Sequence, residues 1–166
     1  MHDQPSLDIL LGKIVSHIWF GDYSALYLEL GALGDSGTGK ASSSRNPQGE
    51  ITVYASFDWR IERQRSILGG SESSRQRWKT TTKQLLGTTI LSAETVGRIP
   101  ELQLQFSEGL WLVTFSCSEA QPDWSVSFKA LGLGSLCVER GRIQVDRRDY
   151  YRPILASSDA SEAGGF

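Results

Sequence analysis

Apolar side chains recur at every second position through much of this 166-residue chain. Leu26, Leu28 and Leu30 alternate with Tyr27 and Glu29, and Leu102, Leu104 and Phe106 alternate with Gln103 and Gln105. Successive side chains of a strand point to opposite faces, so each leucine set lines one buried face. Ile51, Val53, Ala55 and Phe57 predict another strand, as do Leu110 and Leu112 with Val113 and Phe115. Ile14, Val15, Ile18, Trp19 and Phe20 predict a strand with large side chains on both faces, so that both are covered or one aromatic awaits a partner. Trp111, between Leu110 and Leu112, raises the same question. Ser135 to Glu139 and Arg142 to Val145 form a predicted hairpin, with Gly141 supplying the positive φ of a tight turn.

The landmarks come twice. Leu10-Leu11-Gly12 matches Leu85-Leu86-Gly87, Gly21 matches Gly97, the two leucine strands follow in register, and Asp58-Trp59 matches Asp123-Trp124. This order predicts an internal duplication. A helix over 73–85 is predicted from Ser73 with Gln76 as a capping box and from Trp78, Thr82 and Leu85 on one face. A shorter helix over 5–11 ends at Gly12. The expected fold is therefore α+β, predominantly antiparallel β. It comprises two pseudo-repeated halves (about 5–70 and 73–145), each a short helix followed by about four strands, within a single domain over 1–155. Residues 31–49 read as a long flexible hairpin loop and 156–166 as a disordered tail.

Composition narrows the class. An apolar fraction of 39 % suits a globular chain rather than a disordered one. A net charge of −2 neither recruits nor forbids a polyanion, and no apolar run reaches the roughly 20 residues that span a bilayer. The first residues, MHDQPSLD, lack the plan of a secretory signal, so a soluble cytoplasmic protein is expected. Cys117 and Cys137 lie in apolar strand-like stretches and read as buried thiols.

The apparent chemical motifs dissolve on inspection. Residues 34–40 have the spacing of a phosphate-cradling loop, but Ala41 replaces the metal-binding hydroxyl and no helix follows. Gly132-Leu133-Gly134 lacks the third glycine of a dinucleotide fingerprint. His2 and His17 with two cysteines do not make a zinc set, and no cofactor is expected. His17, or Asp58 with Asp123, would have to serve an enzyme of unrecognised type; the plainer readings are a structural histidine and turn-forming aspartates.

The segment 60–83 is the most uneven in charge. Arg60, Arg63, Arg65, Arg75, Arg77, Lys79 and Lys83 stand against Glu62 and Glu72, with Trp78 among them. Arginine beside tryptophan leads the residue types that dominate protein interfaces, and also suits nucleic acid. Arg60, Arg63, Arg65, Arg75, Arg77 and Trp78 are the predicted binding residues. A solvated face with Trp78 anchoring the helix is the plainer reading.

The segments IWFGDYSALYLELG, WRIERQRSILGGS, GRIPELQLQFSEGLWLVTF and QPDWSV resemble an uncharacterised group of small bacterial β-rich proteins. That resemblance implies a bacterial single-domain protein and carries no activity. The expected function is a non-catalytic protein-interaction module, immunity- or adaptor-like. Nucleic-acid binding through 60–83 is the alternative. Open sheet edges make a homodimer a further expectation.

Overall fold

The computed structural model describes residues 4–34, 46–119 and 124–147. Eleven strands dominate them. β1 (Val15–Phe20), β2 (Leu26–Leu30) and β3 (Ile51–Ala55) come first, then β4 (Trp59–Arg63) and β5 (Ser66–Gly70). One helix, α1 (Arg75–Thr82), precedes β6 (Ile90–Val96), β7 (Glu101–Phe106), β8 (Leu110–Thr114) and β9 (Trp124–Ser127). β10 (Ser135–Glu139) and β11 (Arg142–Asp146) complete the described chain. All pairings are antiparallel, in a six-stranded sheet β1-β2-β3-β9-β10-β11 and a five-stranded sheet β5-β4-β8-β7-β6.

This arrangement corrects the expectation of two halves, each a helix plus about four strands. The fold is mostly antiparallel β with one short helix. Before β1 there is only a four-residue 3-10 turn, Leu7–Leu10, capped by the Ser6 hydroxyl. So short a segment between Pro5 and Gly12 makes too few internal hydrogen bonds to sustain an α-helix. Nor do the halves pack as units: β4 pairs with β8, and β9 pairs with β3, so the first half places β4 and β5 in the five-stranded sheet and the second places β9, β10 and β11 in the six-stranded one. Alternation dictates which face of a strand is buried, but not which strand lies beside it.

The crossing strands are held alike. Trp59 lies opposite Thr114 and Ile61 opposite Leu112, while Trp124 lies opposite Ala55 and Val126 opposite Val53. Both tryptophans are wholly buried. A buried indole N–H needs an acceptor. Trp59 Nε1 donates to the Ser24 carbonyl at 2.6 Å, and Trp124 Nε1 donates to the Pro100 carbonyl at 2.9 Å. Those carbonyls occupy the β1–β2 and β6–β7 connections. The first strands of the two sheets also break register alike, between Val15 and His17 and between Ile90 and Ser92. Their amino ends meet at the Ile14–Thr89 bridge, flanked by Val15 N–H to the Thr88 carbonyl and Ile90 N–H to the Lys13 carbonyl, each 2.9 Å.

Between the sheets lies a single apolar core that includes Leu26, Leu28, Leu30, Leu102, Leu104 and Phe106. Trp78 of α1 adds to it by stacking on Phe20 at 5.7 Å, and Thr82 and Leu85 are buried beside that turn. The helix begins one residue later than its sequence suggests: Ser74 accepts from Arg77 N–H, while the Ser73 hydroxyl accepts from Gly70 N–H. Among the described residues no helix is long and apolar enough to cross a membrane.

Replacing Trp59 or Trp124 by Phe removes the donor from the buried Ser24 carbonyl or the half-buried Pro100 carbonyl and opens a small void. Each substitution is expected to lower unfolding free energy by about 1–3 kcal/mol in urea titrations. A loss below about 0.5 kcal/mol at both positions would show that the two indole bonds do not secure the crossing strands.

Candidate binding face

The outer face of the six-stranded sheet carries two rows of side chains set by the register. Trp19 lies opposite Tyr27, Tyr27 opposite Tyr54, Tyr54 opposite Ser125, Ser125 opposite Cys137, and Cys137 opposite Gln144. The adjoining row runs His17, Glu29, Thr52, Ser127, Ser135, Asp146. Six strands at about 4.8 Å spacing give each row a span of about 24 Å.

The aromatic end of the first row is tightly ordered. Trp19 and Tyr27 stack with ring centroids 3.8 Å apart and planes 6° from parallel, and Tyr27 meets Tyr54 at 4.9 Å. All three rings are half-buried, leaving part of each surface to solvent. Their alignment depends on Glu29, only 2 % exposed. Glu29 Oε1 accepts from Trp19 Nε1 at 3.0 Å, while Oε2 accepts from Gly49 N–H at 3.0 Å and from the Thr52 hydroxyl. No cation of the described residues pairs with this carboxylate. Three donors hold a buried charge in place of a counter-ion, a strong use of charge-assisted hydrogen bonds. Gly49 must lack a side chain for this approach, because a Cβ there would sit 2.5 Å from the Leu30 carbonyl oxygen.

Next to this network His17 Nε2 lies 2.9 Å from Asn46 Oδ1. On the approach to β3, Glu50 accepts from Ala32 N–H and pairs with Lys13. The backbone bond, then the lysine, holds the Glu50 carboxyl below its ordinary range. Tyr27 moves the other way. Burial first, then Tyr54, Asp22 and Glu29, push its phenol from 10.0 up to about 12. Phenolate is disfavoured here, so Tyr27 presents a neutral hydroxyl beside two carboxylates.

The arginines predicted to bind do not share one surface. Arg60 points to the outer face of the five-stranded sheet, where its Nε pairs with Glu62 at 2.5 Å and its guanidinium lies 5.5 Å from the Phe115 ring centre. Arg63 alternates to the side of Trp59 and Ile61, and Arg65 sits in the β4–β5 turn. Arg75 and Arg77 are exposed on α1, while Trp78 is half-buried against Phe20. The segment 60–83 is uneven in charge because a strand, a turn, an edge strand and a helix follow one another there, each pointing its side chains differently.

Other candidates are equally dispersed. His17 lies on β1, whereas Asp58 lies in the β3–β4 link with its carbonyl accepting from Phe115 N–H. Asp123, His2, residues 35–45 of the loop with its phosphate-loop-like spacing, and the 156–166 tail lie outside the described residues. Cys137 is buried as expected, but Cys117 is exposed, because it falls just past the end of β8. Gly132 and Gly134 both have positive φ and form a turn. Among the described residues no His, Cys, Asp and Glu side chains gather as a metal-binding group. A hollow of about 400 Å³ lies over the outer face of β10 and β11, lined by residues including Cys137, Glu139, Gln144 and Asp146.

The sequence signal for this face was present in part. Alternation sets Tyr27 and Glu29 opposite the β2 leucines, but the neighbours that complete the face come from β1 and β3. Comparison with protein-family models, curated proteins and solved structures finds no match.

Two outcomes test the face. Glu29→Gln must turn an amide N–H₂ toward at least one existing donor, so it is expected to cost about 1–3 kcal/mol and to change Trp19 fluorescence. Thermal and urea unfolding with emission spectra decide this; unchanged stability and emission would contradict it. The second outcome is alkaline. Because the folded pKa of Tyr27 exceeds its unfolded value, stability present below about pH 10 is lost as pH rises toward about 12. Absorbance titration at alkaline pH should show one late-ionising tyrosine of the five, absent in Tyr27→Phe. A Tyr27→Phe titration that retains the late phase would assign the shift elsewhere.

Proposed function

We propose that this chain is a non-catalytic protein-binding module, immunity- or adaptor-like, of the bacterial cytoplasm. Its partner docks on the outer face of the six-stranded sheet. The observation that carries this reading is the parallel Trp19–Tyr27 stack, fixed from behind by Glu29. Aromatic rings already ordered before binding lose little conformational freedom on contact, and Trp and Tyr lead the residues that dominate interface energies. Asp22 and Glu29 make the surroundings acidic, which favours a partner segment bearing arginine or lysine over an aromatic face. The matched pairing of β4 and β9, with their equivalent tryptophans, supports an origin by internal duplication of a strand set.

The test begins with co-purification from the native host and mass spectrometry, followed by calorimetric titration of the partner so identified. Trp19→Ala with Tyr54→Ala is expected to weaken binding at least about tenfold, or about 1.4 kcal/mol. Arg60→Ala with Arg65→Ala is expected to change it less than about twofold. If the aromatic pair binds as wild type does, this face is not the docking surface.

A further inference from the structure

The β1–β2 turn carries a strained and almost bare aromatic residue. Tyr23 has a φ of 55° and is 84 % exposed. A bulky side chain in the left-handed region strains the backbone where glycine does not. At the matching β6–β7 turn the left-handed residue is Gly97, with a φ of 92°. The reversal itself therefore does not call for tyrosine, and a ring this exposed contributes little to the interior.

What the ring does meet is Phe57, in the β3–β4 link. Their centroids are 6.0 Å apart and their planes 86° from parallel, and Phe57 is itself 43 % exposed. Two rings at a right angle form an open corner with two aromatic walls. The segments that carry them are tied together. The Ser24 hydroxyl donates to the Phe57 carbonyl at 3.3 Å, Trp59 Nε1 holds the Ser24 carbonyl, and Gly21 N–H donates to the Ala25 carbonyl at 2.9 Å. The corner is thus built before any ligand arrives, at the end of the sheets where β1 and β3 finish and β2 and β4 begin. Along the chain a carboxylate adjoins each wall, Asp22 next to Tyr23 and Asp58 next to Phe57. Neither pairs with a cation of the described residues.

The molecule itself shows how such a set is filled. On the five-stranded sheet the Arg60 guanidinium lies 5.5 Å from the Phe115 ring centre while its Nε pairs with Glu62. Aromatic ring, carboxylate and guanidinium satisfy one another there. At Tyr23 and Phe57 the first two are present, and the exposure of Tyr23 leaves the place of the third unfilled. We infer that the Tyr23–Phe57 corner takes an arginine side chain of a protein partner. A guanidinium is planar, so it lies flat on one ring while its rim N–H groups turn to Asp22 or Asp58. Lysine, a compact and strongly hydrated charge, gains less from such a surface. The source of the arginine rests on the protein-binding reading above; the preference of the corner for a guanidinium does not.

Side-chain NMR of the full chain, with isotopically labelled aromatic rings, follows the corner as Nα-acetyl-arginine amide is added at low salt. One exposed contact of this kind is expected to half-saturate on the order of 10–100 mM, with the Tyr23 and Phe57 ring signals moving together. Nα-acetyl-citrulline amide, the uncharged isostere, should move neither ring, and Nα-acetyl-lysine amide should bind about threefold more weakly or less. Asp22→Asn with Asp58→Asn is expected to weaken arginine binding about threefold. Tyr23→Asn, which tolerates the left-handed backbone, should abolish the Phe57 shifts without lowering the melting temperature. Equal responses to arginine and citrulline, or to arginine and lysine, overturn the inference, as do Phe57 shifts that survive Tyr23→Asn. A Tyr23→Asn variant that melts well below wild type assigns the ring to the fold instead. Partner binding lost in Trp19→Ala with Tyr54→Ala but kept in Tyr23→Asn refutes the corner alone. Arginine binding at the corner beside unimpaired partner binding by Trp19→Ala with Tyr54→Ala refutes the sheet face alone.

Discussion

Burying an indole is favourable only where its N–H keeps an acceptor, and this requirement organises the molecule. Trp59 and Trp124 start the two strands, β4 and β9, at which the chain passes from one sheet to the other. Each finds its acceptor in the turn that joins the first two strands of one sheet, at Ser24 or Pro100. Each bond ties a strand of one sheet to a turn of the other. Large apolar area and one directional bond thus favour the same geometry at two places. The Ile14–Thr89 bridge then joins the edges from which both sheets begin.

With the interior filled from both sheets, chemistry is left to the outer faces. On the six-stranded sheet the two adjoining rows differ in character. One is aromatic toward β1 and small or polar toward β11; the other is polar throughout. Glu29 connects them, since one of its oxygens holds Trp19 and the other holds Thr52 and the close-passing Gly49. The effect of Glu29 is positional, setting the plane of the Trp19–Tyr27 stack. On the five-stranded sheet Arg60 is engaged by Glu62 and Phe115.

Much of the strand pattern was legible before coordinates. Alternation at Leu26, Leu28 and Leu30 and at Leu102, Leu104 and Phe106 identified the buried faces, and Gly141 marked the final turn. The correspondence of Trp59 with Trp124 was visible as well, because both stand after an aspartate at the start of an apolar strand. Partner choice was not legible. Ile61 packs as well beside Leu112 as beside any other apolar strand position, so only the three-dimensional register reveals the crossing. The same gap hid the candidate face. Tyr54 and Trp19 are 35 residues apart and become neighbours of Tyr27 only through pairing with β2. Along 60–83, likewise, neighbours in sequence fall on a strand, a turn, an edge strand and a helix. The short 3-10 turn at Leu7–Leu10 shows a local limit: Leu-Leu-Gly signals a chain reversal without specifying how much helix precedes it.

The central claim is that strand exchange makes the two sheets one cooperative unit. Native-state hydrogen exchange, followed residue by residue as urea is added, measures the opening free energy of each strand. Amides of β2, β4, β7 and β9 should open together at the global unfolding free energy, because neither sheet retains all its strands once the other opens. Opening of β6, β7 and β8 at a free energy well below that of β1, β2 and β3 would contradict the account.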